Sequence, residues 1–508
     1  MSLHISRRQR LWIPDIALVF SLLTLFYCLF LFDGWRQLFR DSDTGWHIRT
    51  GELILDTQRL PVADPYSFSL AGQRWYAWEW ASDVAMALAH RAAGMAGVAL
   101  LFAMAIAVAT YLWVRLCWQF GVEFLVACVT VVPMLSTANL HWLARPHIFS
   151  WILLLLTLML ASRRMLTFTP RGAALVAALS VLWVNVHASF FLLPVTLLVF
   201  AVGNLLERWL IDPHRPSIST PLGLLAVVAL VASLANPYGW NTHWHVAQYL
   251  LNSELLDRVG EFQSFNFHVA GAWQILLLLG LTALGGAFAL QQSRIAHFLW
   301  ISMLLVLALR SARGLPLVAL AALPFANAAL SEALREGLGL RQPIRDLLLR
   351  VMDYSQRLRA IDRQLAGWAW APIVLAMLFL AARGTANAGF PADQFPVASA
   401  AAVASIPVAS RILAPDKFGG YLIYRFKGER KVFFDGRSDF YGSDFMKRYI
   451  KLVDVRPGWR QELDSHHFTH ALLPNTYSLI PALQEGGGWT VVHRDDVATL
   501  LRKEGVVE

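Results

Sequence analysis

Two aspartates one residue apart, Asp41 and Asp43 in FRDSDTGWHIRTGELILDTQRLP, carry the first chemistry in this chain. Carboxylates so placed can take a proton from a hydroxyl or ligate a hard divalent cation. Both are therefore catalytic candidates, and a divalent cation is a candidate cofactor. Asp41 has a second reading, as a cap on the amphipathic segment HIRTGELIL. Arginine forks suit phosphate oxygens, and three arginines stand at helix ends: Arg145 in HWLARPH, and Arg310 and Arg313 in ALRSARGLP. Each can equally anchor a helix at an interface. His187, at a break in LWVNVHASFF, is a candidate for acid–base work, with a satisfied core histidine as its alternative. Glu79, His147 and Glu261 complete the set as substrate-binding candidates. His243 and His245 in NTHWH are too sparse a pattern to specify a metal site, and NPYGWN reads as a turn.

The elements that must hold these groups are membrane helices. A bilayer core takes about 20 predominantly apolar residues per helix, and the chain offers about eleven such runs, starting with LWIPDIALVFSLLTLFYCLFL. A composition of 57% hydrophobic and 15% charged residues agrees with a polytopic membrane protein. Arginines gather in alternate short loops, beginning with Arg7, Arg8 and Arg10, which predicts a cytoplasmic N-terminus and an outward C-terminal end. On that topology the 33–83 loop faces outward. So do His47, His90, His141, His147, His187, His243, His245 and His268, together with Asp83 and Glu254. Ionisable groups gathered at one membrane face mark a functional side.

The net charge of +9 follows from this topology and suits an anionic lipid surface. Nucleic-acid binding is excluded as a reading, because the basic residues are scattered over loops without a recognisable module. The arginine-rich Ser331–Gln364 segment has amphipathic spacing that fits the inner leaflet or a plain topology anchor. Cys28, Cys117 and Cys128 all fall in or beside helices, and the first helix reads as an uncleaved anchor.

All six lysines follow residue 385, and ARGTANAGFPADQFP before them is a small-residue and proline linker. The chain thus divides into a membrane part, 1–384, and a small external α/β part, 385–508. KVFFDG and WTVVHRD read as buried strands, and SDFMKRYIKLV and SLIPALQE as helices. The tail is expected to fold by itself as an accessory unit, with DGRSDFYG as a structural turn or a binding loop.

The acidic pair in the first outward loop, followed by an interfacial helix, resembles the GT-C superfamily of polytopic glycosyltransferases. DSDTGWHIRTGELIL, ADPYSFSLAGQRWYAWEWASDV, LARPHIFSW, LWVNVHASFF, ANPYGW and GGYLIYRF with VFFDGRSDFYG are similar to recurrent blocks of its bacterial members, over nearly the whole chain. The resemblance implies an all-α membrane bundle and a polyprenyl-phosphate sugar donor. It also implies inverting transfer to a lipid, glycan or protein acceptor at the outer face of a bacterial inner membrane. The family's Asp-Glu pair is here Asp-Ser-Asp, closer to the Asp-x-Asp of oligosaccharyltransferases, and which aspartate is the base stays open. A lipid-linked saccharide flippase and a non-catalytic envelope assembly protein are the alternatives. A flippase needs polar groups through the full membrane depth, whereas here they gather on one side.

Overall fold

Apolar runs without internal charge can satisfy their backbone only as helices in lipid, and helices dominate the computed structural model, which describes residues 6–163, 165–384, 388–486 and 488–505. Six helical stretches are long and apolar enough to cross a bilayer: Arg8–Phe30, Trp80–Gln119, Phe124–His141, Ala188–Leu210, Ala272–Gln291 and Gly314–Arg335. Four more apolar helices, His147–Ser162, Pro170–Val186, Ser219–Ala232 and Ile295–Arg310, are shorter. Among the described residues, length and composition thus mark six candidate spans, fewer than the eleven runs of the sequence. Several of the short helices end at a polar turn, at Arg145–Pro146, His187, Asn236 and Ser311, which shortens their apolar length.

The Trp80–Gln119 helix has 40 residues, about twice what a bilayer core requires. It breaks at Ala93 and Gly94, where Gly94 takes φ +59°. Its first part, up to the break, packs against the Asp43–Thr57 helix of the 33–83 loop, with Asp83 on His47 and His90 on Glu52. Deeper in the bundle, Phe102, Trp113, Trp300 and Phe325 are fully buried, and the indole N–H groups of Trp113 and Trp300 donate to the carbonyls of Ala319 and Ala321. The Gln342–Asp362 helix exposes Ile344, Leu347, Val351 and Tyr354, as a helix lying on a leaflet would.

The expected division near residue 385 lies at 385–387, outside the described residues. Beyond it, four strands form one sheet in the order β1 (Ile412–Leu413), β2 (His470–Pro474), β4 (Ala498–Lys503), β3 (Trp489–Arg494), with β1–β2 parallel and the other pairs antiparallel. Helices Ser438–Val453 and Leu479–Glu485 form where helical spacing predicts them. WTVVHR is a strand, but an edge one with most of its residues exposed. KVFFDG is not in the sheet. Val432 exchanges backbone hydrogen bonds with Tyr66 and Phe68 of the 33–83 loop instead (2.9 and 3.0 Å), so the backbone groups that a ladder would need are already used. Phe433 and Phe434 do seed a core, with Tyr441, Phe445, Tyr449 and Phe468.

Candidate functional site

The helix Asp43–Thr57 buries Asp43, Trp46, His47 and Thr50 and turns little toward solvent. Gly51 is required by its approach to the next element: a Cβ there would lie 1.9 Å from the Asp83 carbonyl oxygen. Asp41 precedes the helix and its Oδ1 accepts the Asp43 N–H at 2.9 Å, which is the capping role anticipated for it. Its Oδ2 accepts from Arg145 Nη1 at 2.7 Å, so the capping and charged roles coexist. The Thr44 hydroxyl donates to the Ala144 carbonyl at 3.0 Å and the Ala144 N–H donates to Leu38 at 2.8 Å, fastening the Arg145 turn beside the acidic pair.

Arg145 is the centre of the first cluster. Besides Asp41, it reaches Asp43 Oδ2 through Nη2 at 2.9 Å and Glu261 Oε1 through Nη1 at 2.9 Å. Glu261 in turn accepts from Arg313 Nε at 2.6 Å, and the Arg313 guanidinium lies 4.4 Å over the Phe262 ring. Hydrogen bonds from Ser311 and Ala312 to the carbonyls of Glu261 and Gln263, at 3.1 and 2.9 Å, strap the two segments together. Burial, together with the neighbouring Asp41 and Glu261 charges, pushes the Asp43 carboxyl up to about 8 against the pull of Arg145. Glu261 moves the other way: Arg145 and Arg313 hold it well below the usual carboxylate range despite burial.

A second cluster stands across the same cavity. His47 Nδ1 is 2.6 Å from the buried Asp83 carboxylate, its Nε2 faces Glu79 Oε2 at 3.7 Å, and Glu79 Oε1 is 3.3 Å from His187 Nε2. Burial pushes Glu79 up to about 7 and lowers both imidazoles. With its proton on Nδ1, a neutral His47 would turn a bare Nε2 toward Glu79. His147 Nε2–H donates to the His141 carbonyl at 2.8 Å, leaving its ring edge-on to Trp151 and His187.

The cavity between the clusters has a volume of about 440 Å3 and is lined by Trp46, Trp75, Tyr76, Trp78 and Trp151 as well as by the ionisable groups. Its size suits a small-molecule or cofactor-sized ligand, and its aromatic faces offer flat apolar surface to a sugar ring. The tail contributes to its wall through Gly436, Arg437, Ser438 and Asp439. A Cβ at Gly436 would lie 1.8 Å from Asp43 Oδ1, so only glycine lets the tail reach the acidic pair. Arg437 is buried, grips both oxygens of Asp435 at 2.7 Å, and reaches Asp64 of the outward loop at 2.8 Å. Asp439 accepts from His245 at 2.9 Å, and His245 stacks on Trp78.

Of the residues singled out from sequence, Asp41, Asp43, Arg145 and Glu261 meet in one cluster, Arg313 joins it through Glu261, and Glu79, His147 and His187 face it. Arg310 ends its helix with an exposed side chain and does not line the cavity. His47 and Asp83 were counted on the outer face but not as site groups. The signal for His47 was its place four residues after Asp43, on one helix face. Asn236 holds the NPYGWN turn, its Oδ1 accepting from Tyr238 N–H and the Thr242 hydroxyl at 2.9 and 2.7 Å. His243 and His245 turn to different partners, Ser233 and Asp439. Among the described residues, no three His, Cys, Asp or Glu side chains gather as a metal site. Asp41, Asp43 and Glu261 surround a guanidinium, and that donor arrangement does not fit a divalent cation.

No family model matches the chain, and no curated protein matches it in sequence. Solved structures do share its fold. The oligosaccharyltransferase of Archaeoglobus fulgidus in the apo form superposes with a TM-score of 0.52 at 12% identity, over 90% of this chain and 69% of that one. The oligosaccharyltransferase AglB of the same organism, in complex with an inhibitory peptide and a dolichol-phosphate, gives a TM-score of 0.55 at 12% identity and the same coverage. ArnT from Cupriavidus metallidurans, bound to undecaprenyl phosphate, aligns over 96% of this chain and 97% of that one at 15% identity, with a TM-score of 0.44. The fold seen here resembles that of the archaeal oligosaccharyltransferase.

Proposed function

We propose that the chain transfers a sugar, or a related group, from a polyprenyl-phosphate-linked donor to an acceptor at the outer face of a bacterial inner membrane. The observation that carries this reading is the cavity in which Asp43, two arginines and an aromatic wall converge, with Asp41 held beside it by Arg145. Dolichol-phosphate and undecaprenyl phosphate in the related structures support a polyprenyl phosphate as partner. Trp113, Trp300 and Phe325, fully buried in the inner part of the bundle on this topology, support an enzyme over a flippase. About eleven spans, the four short helices and Trp370–Gly384 included, with an inward N-terminus and an outward tail, complete the reading.

In this mechanism the acceptor's nucleophilic oxygen attacks the anomeric carbon as the bond to the donor phosphate breaks, inverting that centre. The phosphate leaves as a stable anion, so the protein has two tasks: to take the acceptor proton and to hold the phosphate. Asp43 is assigned the proton. Both oxygens of Asp41 already accept hydrogen bonds, whereas Asp43 has one oxygen turned to the Gly436 backbone at the cavity wall. Arg313 and the free edge of Arg145 are assigned the phosphate, and Glu79 with His187 and His147 the hydroxyls of the bound groups.

The deciding experiment is mass spectrometry of envelope glycolipids and glycoproteins from cells with and without the chain. Loss of one defined sugar, restored by the wild-type protein and not by Asp43→Asn, is the expected result. Identical profiles, together with no transfer from polyprenyl-phosphate sugars by the purified protein, would remove the reading.

A further inference from the structure

Three carboxylates from two segments, Asp41 and Asp43 on one and Glu261 on the other, point at one guanidinium. Asp41 has both oxygens engaged, by the Asp43 N–H at 2.9 Å and by Arg145 at 2.7 Å. Glu261 has both engaged, by Arg145 at 2.9 Å and by Arg313 at 2.6 Å, and Asp43 has one, at 2.9 Å from Arg145. The first cluster thus spends its oxygens on nitrogen donors. A hard divalent cation needs several oxygens turned to a common centre at roughly 2.0–2.6 Å. The centre here is filled by a group that keeps its charge at every usable pH and whose planar fork is itself matched to carboxylates.

Arg145 is also held in place independently of those carboxylates. The backbone of Ala144 is tied to Leu38 and to the Thr44 hydroxyl, and Pro146 follows. Asp41 and Asp43 lie next to that anchor on the Thr44 side, and Glu261 is strapped to the Ser311–Arg313 turn on the other. A guanidinium delivers its charge along directed hydrogen bonds, so it fixes the orientation of Asp41 and Glu261 as a bound cation would, and it pairs with Asp43 by charge.

We propose that the Arg145 guanidinium takes the place of a divalent cation at the acidic pair, so that the chain binds none there and glycosyl transfer proceeds without one. The second half of the statement rests on the transfer reading, whereas the first half stands on the cluster alone. Arg145 is in this respect a positioning residue: its charge holds Asp43 at the cavity wall and neutralises the carboxylates around it.

The test is calorimetric titration of the full-length protein with manganese chloride, in detergent and in the absence of donor and acceptor. Wild type is expected to show no saturable binding. Arg145→Ala, which leaves Asp41, Asp43 and Glu261 without their shared partner, is expected to bind about one manganese per chain, at least about tenfold more tightly than wild type. Adding Asp43→Asn to that variant is expected to abolish the binding. Saturable binding by wild type that disappears in Asp43→Asn would overturn the proposal, and so would a folded Arg145→Ala that binds nothing. If Arg145→Ala does not fold, the wild-type and Asp43→Asn titrations decide alone. Where transfer is measured, excess EDTA is expected to leave its rate unchanged, and a loss restored by manganese would likewise overturn the proposal. Absence of any transfer would count against the glycosyltransferase reading and leave the titration result standing.

Discussion

Asp43 carries more of the proposed chemistry than any other side chain, and two measurements bear on it. Asp43→Asn is expected to lower transfer by about a hundredfold or more, the usual contribution of a positioned acid or base, with insertion and folding intact. Equal rates in the variant and wild type would move the proton to Glu79. The second measurement is pH. A base must be ionised to work, and burial pushes Asp43 up to about 8, so kcat/KM is expected to climb with pH until that proton is lost. The climb should vanish in the residual activity of Asp43→Asn. The same shift acts on stability in the opposite sense. Its contribution is fully present below the ordinary value of 3.8 and is lost as pH rises through about 8, because the folded chain holds the proton and the unfolded chain releases it. A thermal midpoint that falls over this range in wild type and less in Asp43→Asn would show both effects to have one origin. Residue types made Asp41, Asp43, Arg145 and Glu261 visible in sequence. Their pairing was not, since Arg145 and Glu261 are 116 positions apart and no local pattern links them.

Among the elements, the outward loop and the tail form the joint that the sequence obscured. KVFFDG has the look of a core strand, and half of that reading holds: Phe433 and Phe434 are buried, while Val432 pairs with the loop rather than with the sheet. A strand's alternation records which side chains are buried and says nothing about which backbone it pairs with. The buried Arg437 fastens the same joint, bound to Asp435 within the tail and to Asp64 across it. Arg437→Met is expected to destabilise the protein by about 3 kcal/mol or more, since it strands two buried carboxylates. The loss should appear as a lower thermal midpoint and as faster proteolysis of the tail. An unchanged midpoint would show that this network contributes nothing net. Helix positions were the most legible part, because apolar runs are local. Their breaks at Arg145, His187 and Ser311 were legible only as polar interruptions, and the cavity they frame needed the third dimension.

For the molecule as a whole, orientation decides whether this cavity can meet an envelope acceptor. Reporter fusions at Arg171, Arg215 and Ser331 are expected to report cytoplasm, and fusions in the tail after residue 388 the periplasm. A cytoplasmic tail would carry Gly436 and Arg437 to the wrong side, and with them the wall of the site.

The Trp240–Leu251 helix faces two media at once. His245, Val246, Tyr249 and Leu250 line the cavity, while Trp240, Trp244 and Leu251 stand 67%, 57% and 83% exposed on its other side. Tryptophans so placed suit a membrane–water boundary, and on the proposed reading the helix would be a doorpost between the cavity and the surrounding lipid. On that reading a polyprenyl-phosphate donor passing it would keep its isoprenoid chain dissolved in the bilayer and never enter water. Turnover then obeys two-dimensional kinetics, set by the mole fraction of donor in the membrane rather than by its amount per volume. Diluting the donor with inert phospholipid at constant bulk concentration is expected to slow the reconstituted enzyme in proportion, and a rate indifferent to such dilution would mean that the donor arrives by another road.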